Sequence, residues 1–135
     1  MPGEKIVLSQ GLSLPPDVQG LGRDMCPPGF ELHHLPDGST VDDIAAAIED
    51  AEYLLGFLRF IPDEAFQKAS KLKLIQVLSA GYDSVNIPGA RAARIPISTN
   101  GGANSVAVAE HTIMLMLAVY RKLVTHHPNV AAGRW

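Results

Sequence analysis

Short apolar runs alternate with helix-like stretches along the first hundred residues, and this alternation constrains the fold more than any other feature. Lys5-Ile6-Val7-Leu8-Ser9 reads as a first strand and Phe30-Glu31-Leu32-His33-His34 as a second. Between them, Gln10 to Gly29 is rich in Gly and Pro, which predicts a long loop with a short helix near Pro16 to Gly20. Asp37-Gly38-Ser39-Thr40 is a turn that ends in a cap: Thr40 with Asp43 resembles a capping box, and the apolar stripe from Val41 to Ile48 predicts a helix. Tyr53 to Phe57 is nearly all apolar, as a strand covered on both faces must be. Pro62 opens a short helix reaching about Ala69, and Leu72 to Leu78 is a fourth strand. Asn86 caps a further helix through Ala93, with Pro88 in its first turn. Ile95-Pro96-Ile97-Ser98 is a short last strand that Pro96 places near a sheet edge. Strands alternating with helices bury a parallel sheet between helical layers, and right-handed crossovers make it an α/β, flavodoxin-like doubly wound sheet of about five strands.

The pattern changes at Asn104. Asn104 or Ser105 suits a helix cap, and Val106 to about Lys122 runs on with no breaker until Pro128. This helix is apolar nearly all round, with Val106, Val108, Ile113, Met114, Leu115, Met116, Leu117 and Val119 on several faces. A helix without a polar face needs cover on several sides. A domain ending near Thr99 covers one of them, so a second domain or another subunit is expected to cover the rest.

Composition excludes several classes. With 47% hydrophobic and 19% charged residues, the chain reads as an ordinary globular protein. A net charge of −3 without a Lys/Arg cluster argues against a nucleic-acid partner. The apolar stretch from Val106 to Tyr120 contains Glu110 and His111 and is too short to span a bilayer, and the N-terminal run is too short for a signal peptide, so no membrane partner is expected. Cys26 is the sole cysteine, which rules out an intrachain disulfide, and with five scattered histidines it argues against a zinc site. The expected setting is the reducing cytoplasm.

Two segments carry candidate chemistry. Leu78-Ser79-Ala80-Gly81-Tyr82-Asp83 lies where the fourth strand ends, and ligands of open parallel sheets bind at the carboxyl ends of strands. The Ala80 and Gly81 N–H groups there suit a carboxylate-binding nest, or the small residues only permit a tight turn. Ser98 to Ser105, with Gly101-Gly102 and two Asn residues, suits a hinge, an anion site at a helix start, or a plain connection. Arg59, in the loop after the third strand, either reaches a carboxylate or is a solvated loop arginine. His111 reads as a packed helical residue, His126-His127 as a solvated helix end beside Pro128, and His33-His34 as strand residues of which at most one points inward.

The ordered run of Leu72-Lys73-Leu74-Ile75, Ala80-Gly81-Tyr82-Asp83, Ile95-Pro96-Ile97-Ser98-Thr99-Asn100, Val108-Ala109-Glu110 and Arg121, closed by Gly133-Arg134-Trp135, resembles the D-isomer-specific 2-hydroxyacid dehydrogenase family. That family includes glyoxylate and hydroxypyruvate reductases and phosphoglycerate dehydrogenases. The resemblance implies two doubly wound domains with an active site between them. Residues 1–99 then form the substrate-binding domain. Residues 100–135 form the hinge and the first helix of a truncated dinucleotide-binding, Rossmann-type domain, which explains the long apolar helix.

Carried over by the resemblance, the amides of Ala80 and Gly81 hold the substrate carboxylate, with Ser79 beside them and Arg59 overhanging. Asp83 orders the loop, while Val108 and Asn104 belong to the cofactor side. The substrate is a small 2-keto or 2-hydroxy acid, the cofactor of the full-length protein is NAD or NADP, and the helix over 105–122 is the expected surface of a homodimer. No catalytic residue is assigned within these residues: the family's substrate-orienting arginine, acid/base histidine and partner carboxylate lie downstream. The Gly-rich dinucleotide fingerprint is also missing. Gly20-Leu21-Gly22 comes nearest, but Met25 stands where its last glycine belongs. The expectation is therefore a fragment that binds no cofactor and turns nothing over by itself. The alternative is a non-catalytic flavodoxin-like binding module that dimerises through its apolar helix.

Overall fold

The structure, a computed structural model, describes residues 3–9 and 16–134. It contains a five-stranded, all-parallel sheet. The chain runs β1 (Glu4–Ser9), α1 (Pro16–Asp24), β2 (Phe30–His34), α2 (Val41–Ile48), β3 (Tyr53–Gly56), α3 (Asp63–Lys68), β4 (Leu74–Val77), α4 (Ile87–Ala92), β5 (Ile97–Ser98), α5 (Ser105–Tyr120) and α6 (Leu123–Ala131). Strand order is β2-β1-β3-β4-β5, so the chain first winds one way from β1 and then the other. The register pairs Leu8 with His34 and with Leu55, Gly56 with Val77, and Gln76 with Ser98. β5 lies at an edge, as Pro96 predicts. It keeps only two strand residues, because the Pro96 nitrogen has no hydrogen to give.

Alternation along the strands sorts side chains to two faces. Val7, Leu54, Ile75 and Val77 bury one face against Ile44 and Ile48 of α2, Ala65 and Phe66 of α3 and Ala90 of α4. Leu8 points to the other face, where a Cβ on Gly22 of α1 would sit 3.3 Å from Leu8 Cδ2. Glycine thus lets α1 lie close on the strand. α1 runs four residues past the predicted Gly20; the Gln10–Pro15 part of the predicted loop lies outside the described residues. The capping box forms as read: Asp43 N–H donates to Thr40 Oγ1 at 3.2 Å, and Thr40 N–H donates to Asp43 Oδ2 at 2.7 Å. The Thr40 N–H and the Thr40 hydroxyl, both donating to Asp43 Oδ2 at 2.7 Å, hold the Asp43 carboxyl below its usual value.

Two compact units are present, residues 1–101 and 102–135. In the second, the long helix ends close to its expected end: α5 stops at Tyr120, and Lys122 turns the chain with a φ of 46°. What the sequence does not predict is the second helix that follows. The turn falls where the apolar run gives way to Arg121-Lys122. Pro128 lies inside α6, where it deprives Val124 O of its donor. Val124 is 86% exposed, so water can take that place. His126 and His127 therefore sit within a helix, although both are exposed as expected. Asn104 does occupy the N-cap of α5, yet its side chain caps nothing; Ser105 Oγ instead donates to Gly102 O at 2.9 Å. No residue of α5 is buried. No described helix is long and apolar enough to cross a membrane.

Candidate functional site

The carboxyl ends of β3 and β4 carry two neighbouring loops. The first spans residues 57–61 and the second 78–86. Side chains of the second loop tie it to the first: Ser84 Oγ donates to Leu58 O at 2.8 Å, and Asn86 Nδ2 donates to Ile61 O at 2.9 Å. Asn86 is buried, donates also to Asp63 Oδ1 at 2.6 Å, and accepts the Gly89 N–H at 3.0 Å, which caps α4. One side chain thus starts a helix and fixes the loops beside it. Sequence reading finds the capping role but not the two loop bonds, and it misses Ser84 altogether.

Within the second loop, Ser79 Oγ donates to Gly81 O at 2.6 Å and Ser79 O accepts the Asn100 N–H at 3.0 Å. The Ser79 hydroxyl proton is therefore used to shape the turn. A Cβ at Gly81 would meet Asp83 Oδ2 at 3.4 Å, so Asp83 lies against the turn. Val85 N–H closes the loop on Tyr82 O at 2.9 Å. The N–H groups of Ala80 and Gly81 find no acceptor among the described residues, and both residues are exposed. Two adjacent amides left free at the carboxyl edge of a parallel sheet are available to an acceptor from outside the loop. Arg59 is exposed on the first loop, with no carboxylate partner among the described residues.

The remaining assigned residues lie in the other unit. Val108 is 53% exposed on the first turn of α5, and its N–H donates to Asn104 O at 2.9 Å, an ordinary helix bond. The structure groups Ser79, Ala80, Gly81 and Arg59 at one sheet edge, and Asn104 with Val108 at one helix start. The residues present do not form a dinucleotide cradle: none of the five strands is followed by a Gly-x-Gly-x-x-Gly turn. Among the described residues no group of three or more His, Cys, Asp or Glu could hold a metal ion.

Charge is organised at the opposite end of the sheet. Glu4 accepts hydrogen bonds from Lys73 Nζ and from Tyr53 Oη, the latter at 2.7 Å, and both hold its carboxyl below the ordinary value. The same bonds raise Lys73 and Tyr53. Lys5 Nζ donates to Asp50 Oδ1 at 2.6 Å and lowers that carboxyl. These groups fasten the first residues of β1 and β3 to the start of β4, and so belong to the scaffold.

Fold and edge define a class: a doubly wound parallel domain whose Ala80 and Gly81 amides are left unbonded beyond its β4 strand. Comparison with known proteins makes the class specific. The pattern described as "D-isomer specific 2-hydroxyacid dehydrogenase, catalytic domain" matches residues 7–131, and the chain belongs to that family. It is 34% identical over 104 residues to a formate dehydrogenase of Chaetomium thermophilum, an alignment covering 73% of this chain and 27% of that protein. It is 30% identical over 96 residues to glyoxylate/hydroxypyruvate reductase B of Escherichia fergusonii, covering 71% of this chain and 30% of the reductase. The crystal structure of the NAD-dependent formate dehydrogenase of Staphylococcus aureus in complex with NAD superposes with a TM-score of 0.73 at 24% identity, over 97% of this chain and 43% of that one. This last likeness concerns the fold. The chain spans roughly a quarter to a third of the length of these curated relatives.

Proposed function

We propose that this chain supplies the substrate-carboxylate side of an NAD(P)-dependent oxidoreductase that oxidises the CH–OH group of D-2-hydroxy acids or reduces 2-keto acids such as glyoxylate or hydroxypyruvate. The observation that carries the reading is the free N–H pair of Ala80 and Gly81 at the end of β4. Two preorganised donors fix a carboxylate in one orientation. Ser79 positions them through its bond to Gly81 O, and Arg59 overhangs from the neighbouring loop. Similarity to formate dehydrogenases widens the class to formate, which is a carboxylate with nothing attached.

In this reading residues 1–99 are the substrate domain and residues 100–135 the hinge and first helix of the dinucleotide domain. Asn104 and Val108 face the cofactor, and the cytoplasm is the site of action. Hydride transfer needs an acid/base group near the carbonyl with the nicotinamide alongside. Asp83, the titratable group beside the nest, orders the loop in this reading, and the described residues hold no Gly-rich phosphate cradle, so by itself the chain is expected to bind no cofactor and perform no turnover.

Titration of the 15N-labelled chain with glyoxylate tests the reading. The Ala80 and Gly81 amide resonances move saturably if the nest holds the carboxylate; resonances that stay fixed at tens of millimolar ligand overturn it. NADH-dependent glyoxylate reduction by the purified chain overturns the assignment of the chemistry to groups elsewhere. A second reading, a carboxylate-binding module that dimerises through residues 105–122, is favoured by the exposure of Val106, Ile113 and Leu117 at 70%, 57% and 57%. Sedimentation equilibrium decides it: a concentration-independent monomer removes it.

A further inference from the structure

An open groove of about 500 Å³ runs beside β5, between the end of α4 and the turn that carries Tyr82. Ile87, Ile95 and Ile97 line it, of which Ile95 is buried and the other two half-buried. Arg91 and Arg94 line it as well. No carboxylate among the described residues pairs with either guanidinium.

Arg94 is held there against its local preference. α4 closes with Arg94 N–H donating to Arg91 O at 3.0 Å and Ile95 N–H donating to Ala90 O at 2.9 Å. The residue in the middle of this turn takes the left-handed conformation and is usually glycine. Here it is Arg94, with a φ of 59°. Strained backbone of this kind concentrates where a side chain is needed.

We propose that this groove binds an organic monocarboxylate with an apolar body, a branched aliphatic or aromatic acid. Its volume falls within the range of small-molecule sites, which are mostly apolar with a few placed polar groups. Guanidinium groups match a carboxylate through their planar donor fork, and two of them here lack an internal partner. The isoleucines select an acid with a body over a bare anion. Tyr82 borders the groove from the loop of the Ala80–Gly81 nest, but the two guanidinium groups belong to α4 and its closing turn, so the proposal does not rest on the role given to that nest.

The test is titration of the 15N-labelled chain with phenylacetate, with acetate as the bodiless control. Saturable shifts are expected at Arg91, Arg94, Ile95 and Ile97 with a Kd of roughly 1 mM, and acetate binds there at least about tenfold more weakly. R94G removes one guanidinium while giving the turn its preferred residue, so the variant folds at least as stably. R91Q removes the other. Each weakens phenylacetate by about tenfold. A Tm for R94G at or above the parent's shows that lost affinity is not lost structure; should that Tm fall, R91Q decides. Phenylacetate shifts confined to Ala80 and Gly81, equal affinity for acetate, or unchanged affinity in R91Q and R94G would each overturn the proposal.

Discussion

Gly56 is where β3 ends against β1, and replacing it with alanine gives the sharpest test of how the carboxyl edge is built. A Cβ there would lie 1.8 Å from Ser9 O and 2.8 Å from Ser9 C. Real Cβ atoms do not approach within 3.0 Å, and because the obstructing atoms are backbone, no rotamer change relieves the clash. The strand ends must part by more than about 1 Å, which by the steepness of packing repulsion cannot be absorbed locally. Two bonds are then at risk: Phe57 N–H to Ser9 O at 3.1 Å and Leu78 N–H to Gly56 O at 2.9 Å. Each leaves a buried group unsatisfied at a cost of roughly 1–3 kcal/mol. The backbone adds about 1–3 kcal/mol, since Gly56 has a φ of +157° that L side chains rarely adopt. Gly56→Ala should therefore lose about 3–9 kcal/mol, a large share of the roughly 5–15 kcal/mol typical of a domain, and lower Tm by at least about 12 °C. Urea unfolding followed by circular dichroism measures it. Gly38→Ala is the control: with a φ of +84° and nothing within 4 Å of the added carbon, it carries only the backbone term, about 1–2 kcal/mol. If Gly56→Ala unfolds as easily as the parent, or no more easily than Gly38→Ala, the steric reasoning is wrong.

Two further outcomes follow from the same scaffold. Asn86→Ala removes the α4 cap and leaves Ile61 O without its donor, so it should cost roughly 2–4 kcal/mol in urea unfolding; a loss under about 1 kcal/mol would show that the loop is held by other means. Glu4 sets the pH response at the other end of the sheet. Its carboxyl is held below its ordinary value of 4.5 by Lys73 and Tyr53, so its contribution is complete above 4.5 and is lost as pH falls through the lowered value. Lys73 and Tyr53 are raised from 10.5 and 10.0 by their bonds to Glu4, so theirs is complete below those values and is lost as pH rises through the raised ones. Glu4→Gln should flatten both limbs of the stability–pH curve, and superimposable curves would refute the linkage.

Much of the fold is legible in the sequence because it is written in local and periodic signals. The strand runs, the Thr40–Asp43 box and the Asn86 cap each need only a few neighbouring residues, and each is found where the pattern puts it. Pro128 shows the opposite case. A proline suggests a helix break, yet Pro128 lies inside a further helix, α6, because an exposed helix can give a lone carbonyl to water; the end of α5 at Tyr120 falls close to the expected Lys122. The proposed nest is half legible. Small residues at the end of β4 announce a close backbone approach, but which amides remain unbonded is decided only by the folded loop. The Ser84–Leu58 bond joins residues 26 positions apart and leaves no periodic trace.

Departures from local rules are informative once the backbone is known. Among the described residues, Arg94 and Lys122 are the non-glycine positions with positive φ. Lys122 is accounted for by the turn between α5 and α6. Arg94 is not: glycine would close α4 with the same two hydrogen bonds and less strain. In the sequence it is one more basic residue in an Ala-Arg-Ala-Ala-Arg run, indistinguishable from Arg91. Only the left-handed backbone shows that this arginine is kept at a cost. A cost borne beside an isoleucine-lined groove, by a guanidinium without a partner among the described residues, is better explained by a ligand than by the turn, because the turn is the one feature the arginine makes worse.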